Sequence, residues 1–401
     1  MALIETSLVK NVENELKIYK RDPHSFEQKI NVAIVHEWLS TYAGSEKVTE
    51  SIVRLYRNSS LFSTVNFLKE ETKTRMLGSI IPKTTFIQNL PFSKAHFRYY
   101  LPLFPLAIRS HNLEGHELII SSSHAFAHGV RKKEGQVHIC YCHTPMRYIW
   151  DLQDLYLEAN NMNKGIISIA SKMLAKLLRR WDFRISKDVD YYISNSKYTA
   201  DRIKRCYGRE AKVIYPPVDV NKFIAESKKE DFYLTASRLV CYKKTDLIVD
   251  AFTKMPDKKL IVIGDGKLKA KVAKMATPNI TFLSHLDFEK FHYYMRKAKA
   301  FVFAGEEDFG ITMVEAQACG TPVLAYNKGG AAEIVRDEQT GLLFNEQKAH
   351  SIVDVVKRFE KISYLFSASA IRENADRFSQ DVFDEEFTKF IKKSISEQPS
   401  T

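Results

Sequence analysis

The chain has 401 residues, 45% of them hydrophobic and 12% aromatic, with 60 Lys+Arg against 48 Asp+Glu and a formal net charge of +12. This apolar share excludes a disordered chain, and the length exceeds one ordinary core, so two domains of ~200 residues each are expected. The positive balance favours polyanionic partners such as nucleic acid, anionic lipid or phosphate-bearing ligands.

Residues 1–30 are polar and weakly patterned, and read as an N-terminal extension without the apolar core of a signal peptide. No run reaches the ~18 apolar residues of a membrane span, so any membrane contact is expected to be peripheral. "INVAIVHEW" (30–38) predicts a first strand, followed by a turn and a helix in "STYAGSEKVTESIVRLY". Further strands are predicted over 63–68, 83–88, 116–122, 136–143 and 189–196. Pro216 and Pro217 in "AKVIYPPVDVNKF" stop regular structure and predict a hinge. A second alternating series follows. Its strands lie over 231–239, 258–266, 279–285, 299–305 and 321–326. Its helices run from Thr245 to about Lys254, up to about Met275, through Ala298, and onward from Thr312. "DVFDEEFTKFIKKSI" predicts a final helix.

Strand–helix alternation with apolar strands predicts α/β structure with parallel sheets covered on both faces. The expected architecture is two Rossmann-like domains facing across a cleft, one over 31–213 and one over 214–379. The helix of 380–401 is expected to return to the first. Ligands of such sheets bind at the carboxyl ends of the strands. Cys140, Cys142, Cys206, Cys241 and Cys319 are odd in number and lack zinc spacing. They read as free, mostly buried thiols of a reducing cytosol.

The chemistry concentrates after the strand of 299–305. Glu307 lies at a strand's carboxyl end, Gly310 permits a turn, and Glu315 falls in the first turn of the helix expected from Thr312. The first N–H groups of that helix favour an anion. Taken alone, Thr312 and Glu315 also fit a capping box, and Glu307 fits a solvated acid. The motif as a whole, "GEEDFGITMVEAQACGTPVLA" followed by "KGGAAEIV" and "TGLLF", resembles the donor site of retaining glycosyltransferases of the GT-B group, family 4. The resemblance covers roughly residues 31–380. It implies that Glu307 contacts the transferred sugar and that Glu315 bonds the nucleotide ribose. The backbone N–H groups around Phe309, Gly310 and Ile311 would then hold sugar and diphosphate.

In "SRLVCYKKTDLIVDAF" Arg238 and Lys243 follow a strand, placed either as surface cations or as diphosphate ligands. The resemblance implies the second role, stabilising the leaving diphosphate. Gly264 and Gly266 of "IGDGK" are a tight turn that the resemblance puts beside the nucleotide. Gly44 of "AGSEK" would bring backbone close to phosphate, with Ala43 standing where the family often has a second glycine. Ser284 likewise stands where the family often has glycine. His143 of "YCHTPMRYIWD" matches the family's active-site histidine and is expected as a polar contact, while Arg147 is expected to bind phosphate. His124 reads either as a second site histidine or as a satisfied loop histidine.

The segment 163–187 holds seven Lys/Arg and one acid. Its apolar stripe is Ile166, Ile169, Ala170, Met173, Leu174, Leu177 and Trp181. That stripe predicts either a helix packed on its own domain or a face for an anionic membrane, with "RYYLPLFPLAIRS" (98–110) assisting.

The expected activity is retaining, metal-independent transfer of a hexose from a nucleotide sugar. "HEWLSTYAGSEKV", "YCHTPMRYIWDL" and "RLVCYKKTD" look most like bacterial mannosyltransferases of O-antigen and capsule assembly. That likeness implies GDP-mannose as donor and a lipid-diphosphate-linked glycan as acceptor, at the cytoplasmic face of the membrane. A UDP-sugar donor is the alternative. A sugar-nucleotide epimerase would need a different acid/base set, and a nucleic-acid-binding protein would show a motif for it that the chain lacks.

Overall fold

The structure, a computed structural model, describes residues 30–159 and 164–397. Apart from Ile30, the expected N-terminal extension lies outside them. Seven strands form one sheet: β1 (Val32–His36), β2 (Ser60–Ser63), β3 (Lys83–Thr84), β4 (Leu118–Ser123), β5 (Val137–Cys142), β6 (Tyr191–Ser194) and β7 (Ala211–Val213). Six form another: β8 (Tyr233–Ala236), β9 (Leu260–Ile263), β10 (Ile280–Leu283), β11 (Ala300–Phe303), β12 (Val323–Tyr326) and β13 (Gly341–Phe344). The orders are β3-β2-β1-β4-β5-β6-β7 and β10-β9-β8-β11-β12-β13. Both follow the doubly wound order in which the chain reverses direction beside the first strand. All five neighbouring pairs of the second sheet are parallel.

The strands of the second sheet are apolar on both faces because both are covered. On β11, Phe301 and Phe303 join one core with Leu234, Val323 and Met313. Ala300 and Val302 join the other with Val262, Phe252 and Phe359. Helices Thr245–Thr253 and Ala349–Ile362 supply the second core, and Ile311–Ala318 supplies the first. The C-terminal helix Gln380–Ser396 sets Phe383 and Phe387 against Tyr141 of β5, with ring centroids 6.0 and 6.5 Å apart. The end of the chain thus returns to the first sheet, as expected.

By compactness the described chain divides into two units. One comprises residues up to Cys140 with Arg184–Tyr191. The other comprises Tyr141–Phe183 and the residues from Tyr192 onward.

Four local expectations need correction. The strand expected over 63–68 is displaced to Ser60–Ser63, in register with Ala33–His36. Beyond it the chain runs irregularly beside Glu37 and Leu39, held by Thr64 N–H to Glu37 O at 3.0 Å and Leu39 N–H to Val65 O at 2.9 Å. The strand expected over 83–88 ends at Thr84. There the Thr85 hydroxyl accepts from Ile87 N–H and tightens Phe86–Asn89 into a 3₁₀ turn. The helix expected from Thr312 begins at Ile311 instead. Its N-cap is Gly310 at φ 111°, which has no side chain, so Thr312 and Glu315 form no capping box.

The fourth correction concerns the helix Gly165–Ile185. Most of the predicted stripe does not pack on the protein: Ile166, Met173 and Leu177 are 84%, 64% and 60% exposed, while Leu174 and Trp181 are partly buried. Ser168, Ala175, Leu178, Asp182 and Ile185 are buried instead. Asp182 belongs on the inner face because Trp150 Nε1 and the Tyr207 hydroxyl donate to it at 2.7 and 2.8 Å. Among the described residues no helix is long and apolar enough to cross a membrane. Four of the five free cysteines are buried, and Cys241 is partly exposed.

Candidate active site

The centre of the site is the loop from β11 to the helix Ile311–Ala318. Its backbone is clamped by a glycine pair. Gly330 N–H donates to Glu307 O at 2.9 Å, and a Cβ on Gly330 would lie 1.9 Å from Phe309 O. The Phe309 ring turns into the core against Tyr215 and Phe378, which anchors the loop just before the helix. Glu307 and Glu315 stay partly exposed.

Lys243 reaches this loop from the turn after β8 and forms a hydrogen-bonded ion pair with Glu307. Lys244 adopts a left-handed conformation at φ 54° between the 3₁₀ turn Cys241–Lys243 and the helix Thr245–Thr253. That rare conformation for a lysine is backbone strain of the kind concentrated at functional sites. Burial, with Arg238 and Arg147 near, pushes the Lys243 ammonium down to about 7. The nearby Asp308 carboxylate opposes that shift without cancelling it. Gly305 brings the two segments together: a Cβ there would meet Lys243 Cα and Tyr242 O at 3.1 Å. Gly264 and Gly266 pack on the segment bearing Arg238. Added Cβ atoms would come 2.0 Å from Ser237 O and 2.5 Å from Leu239 O. Arg238 donates to the Tyr242 hydroxyl at 2.9 Å. At the position of the absent glycine, Ser284 accepts from Lys269 Nζ at 2.9 Å.

Arg147 opens the short helix Arg147–Trp150. It donates to Asp308 Oδ2 at 3.3 Å and Glu306 O at 3.4 Å, and lies 5.7 Å from the Tyr242 ring centroid. His143 is buried beside Tyr141, and its carbonyl accepts from Asn195 Nδ2 at 2.9 Å. Glu307, Lys243, Arg238 and Arg147 therefore gather into one cluster: a carboxylate among three cations at the carboxyl ends of β8 and β11.

Sequence reasoning missed the helix Lys197–Tyr207. Its Arg202 pairs with Asp308 and with Asp151, the latter through Nε at 2.6 Å, and donates to Thr144 Oγ1 at 2.9 Å. Its Tyr198 hydroxyl donates to Glu306, which also pairs with Lys328 at 3.0 Å. Burial would raise the Glu306 carboxyl, but these two bonds hold it below its ordinary value. Burial and the Glu306 bond push the Tyr198 hydroxyl up to about 12. Glu333 accepts from Lys197 and Tyr198 N–H at 2.9 and 3.0 Å, at the helix start. The available signal was an arginine at a core-facing helical position, since Thr199, Arg202, Ile203 and Cys206 share the buried face.

In the other unit, Gly44 opens the helix Gly44–Leu55. Ala43 caps it at φ −141°, an extended conformation open to any residue, and donates its N–H to Glu46 Oε2 at 3.0 Å. Glu46 also meets His36 at 3.5 Å and is held down to about 2. Burial opposes that shift, and the His36 bond together with the His36 and His124 charges and a backbone hydrogen bond outweighs it. Glu37 is fully buried and accepts the N–H groups of His124, Ala125, Phe126 and Ala127 at 2.7 to 3.0 Å. The His124 ring stands edge-on to Trp38, 4.8 Å between centroids. His124 is thus held on Trp38 by a loop built around Glu37. Among the described residues no three His, Cys, Asp or Glu side chains gather as a metal site.

Family models of glycosyltransferases match both halves of the chain. A family model described as Glycosyltransferase Family 4 matches residues 70–222, and one described as Glycosyl transferases group 1 matches 219–378. An uncharacterized glycosyltransferase of Methanocaldococcus jannaschii is 30% identical over 214 residues, 52% of this chain and 60% of that protein. A GDP-mannose-dependent monoacylated alpha-(1-6)-phosphatidylinositol monomannoside mannosyltransferase of Corynebacterium glutamicum is 31% identical over 191 residues, 40% of this chain and 50% of that one. The chain therefore spans only 60% and 50% of the length of these two relatives. Among solved structures, Anabaena Alr3699/HepE with UDP has a TM-score of 0.67 at 16% identity, covering 91% of this chain and 100% of its own. A sucrose-phosphate synthase of Thermosynechococcus elongatus has a TM-score of 0.69 at 16% identity, covering 92% and 100%. At that identity the likeness shows the fold, that of GT-B glycosyltransferases.

Proposed function

We propose that the chain, in which a Glycosyltransferase Family 4 model matches residues 70–222 and a Glycosyl transferases group 1 model matches 219–378, moves a hexose from a nucleotide sugar to a glycan acceptor with retention. The observation that carries this reading is the Glu307–Lys243 pair flanked by Arg238 and Arg147. Glu307 orients the sugar, and Glu315 reads the ribose from the first turns of the helix behind Gly310. The sugar's C1–O bond breaks with its electrons going to the diphosphate. Lys243, Arg238 and the helix N-terminus meet that charge, so we assign no metal to this step. The acceptor oxygen attacks C1 from the leaving-group face, and its proton passes to the departing phosphate oxygen. His143 is a polar contact of the sugar. Phe309, Gly310 and Ile311 hold sugar and diphosphate through backbone N–H groups. Gly264 and Gly266 bring backbone beside the nucleotide, and Gly44 approaches phosphate on the acceptor side.

The donor we propose is GDP-mannose, supported by the sequence resemblance and by a GDP-mannose-dependent relative. The acceptor is a lipid-diphosphate-linked oligosaccharide of bacterial surface polysaccharide assembly, O-antigen or capsule. The protein would then work at the cytoplasmic face of the membrane. The exposed stripe Ile166, Met173 and Leu177, beside Lys172, Lys176, Arg180 and Arg184, supports this with an apolar strip bordered by cations.

Thermal stabilisation by GDP, UDP and their sugars, without metal, tests the reading, since a ligand of the native state raises its stability by RT ln(1 + [L]/Kd). A shift with GDP is expected. A shift with UDP alone would transfer the donor to a UDP-sugar, and no shift with either would overturn the donor site.

A further inference from the structure

Three consecutive acids in the candidate loop face different cations. Glu307 pairs with Lys243. Glu306 takes Lys328 and the Tyr198 hydroxyl. Asp308 takes Arg202 and Arg147. We propose that Arg202 and Asp308 are positioning residues, whose buried ion pair fixes the loop so that the Glu307 carboxylate is presented to the transferred sugar. This inference rests on the reading of Glu307 as the sugar contact.

Tyr198 and Arg202 are four residues apart and share one face of the helix Lys197–Tyr207. Through them one helix face takes the acids on either side of Glu307. The Arg202 side chain is 2% exposed, and a buried guanidinium persists only with its charge matched. Thr144 and Asp151 fix its rotamer, and its guanidinium carbon lies 4.8 Å from the Tyr198 ring centroid. Burial opposes its charge, and Asp308, with smaller help from Tyr198 and Asp151, more than offsets that. From its other side the loop backbone meets Gly329 and Gly330: a Cβ on Gly329 would come 2.2 Å from Glu307 O. With backbone and flanking side chains held, the loop leaves Glu307 one direction in which to point. Such fixation matters because a misplacement of ~1 Å costs on the order of 100-fold in rate. Asp308 also holds Arg147 by its second oxygen, so one carboxylate sets two groups of the site.

The test compares full-length wild type with Asp308→Asn and Arg202→Lys. It follows nucleoside diphosphate release from GDP-mannose and from UDP-glucose, the affinity for free GDP and UDP, and melting temperature. Both variants are expected to fold and to lose about 10- to 100-fold in kcat, the scale of a misplaced reactive group. KM and nucleoside diphosphate affinity should stay within about threefold, because interactions needed only in the transition state are lost. The double variant should be no slower than the slower single one, as the two residues act as a unit. Folded variants with wild-type kcat would overturn the proposal, as would equal losses of kcat and nucleotide affinity. Failure of both variants to fold would also overturn it, by making the pair a fold determinant. A wild type that neither binds nor turns over any sugar nucleotide would overturn the functional reading and this inference with it. An active wild type matched by its variants overturns this inference alone.

Discussion

At the scale of single residues, the site is a problem of placing charge. Glu307→Ala and Lys243→Ala should each lower transfer by about 100-fold or more, the cost of removing one preorganised charge partner. Both should keep the wild-type far-UV circular dichroism. Lys243 adds a pH dependence of known sign. Its ammonium sits at about 7 in the free protein, so above that pH it is mostly neutral, and a bound diphosphate favours the charged form. Nucleotide binding at pH 8 should therefore take up a proton, and affinity should fall as pH rises from 7. Calorimetry in buffers of differing ionisation enthalpy measures the uptake, which Lys243→Met should abolish. Gly330→Ala drives a Cβ into Phe309 O and should cost at least about 1–3 kcal/mol in urea unfolding. Position after a strand left Glu307, Lys243 and Arg238 open as surface charges, and only the resemblance of the surrounding motifs singled them out. Asp308 was not singled out, because nothing in "EED" tells which acid faces which cation. Arg202 was not, because one arginine among the helix's other basic residues discloses its burial only when its partners, remote in sequence, arrive.

At the scale of elements, the sheets were readable because apolar strands between helices have one economical packing. Their ends were less so. β13 went unpredicted, its four residues too short a signal, and β2 shifted by register with β1. The helix Gly165–Ile185 shows a deeper limit. Both of its faces carry apolar residues at helical spacing, and the polar Ser168 and Asp182 fall on the buried one. Periodicity found the richer stripe and left it open between the core and a membrane face. The inner face was decided by hydrogen bonds to Asp182 that a sequence does not display. The two faces should part in experiment. Leu178→Ala should cost about 2–5 kcal/mol. The pair Met173→Ser and Leu177→Ser should stay within about 0.5 kcal/mol of wild type. In flotation with vesicles rich in anionic lipid, only the surface pair should weaken binding.

At the scale of the whole molecule, buried histidines set acid tolerance. Burial lowers His138 to about 3 and His111 to about 4, against 6.5 when unfolded. These two rings alone let the unfolded chain bind up to two more protons than the fold between about pH 4 and 6.5. The stability these neutral rings allow is complete above 6.5 and falls with pH by up to about 1.4 kcal/mol per unit for each ring. Urea midpoints from pH 7 to 4.5 should show this slope, made shallower in His138→Gln by the share of that one ring. The C-terminal helix carries a consequence for the order of synthesis. Tyr141 is fully buried, and two of its covers, Phe383 and Phe387, are translated 242 and 246 residues after it. While the ribosome works through the second sheet, a finished strand of the first waits with its tyrosine partly uncovered. Until the helix Gln380–Ser396 emerges, that face of the nascent chain should invite aggregation. A truncation at residue 379 should leave that surface open for good and accumulate as aggregate, and the missing helix supplied as a separate peptide should restore solubility.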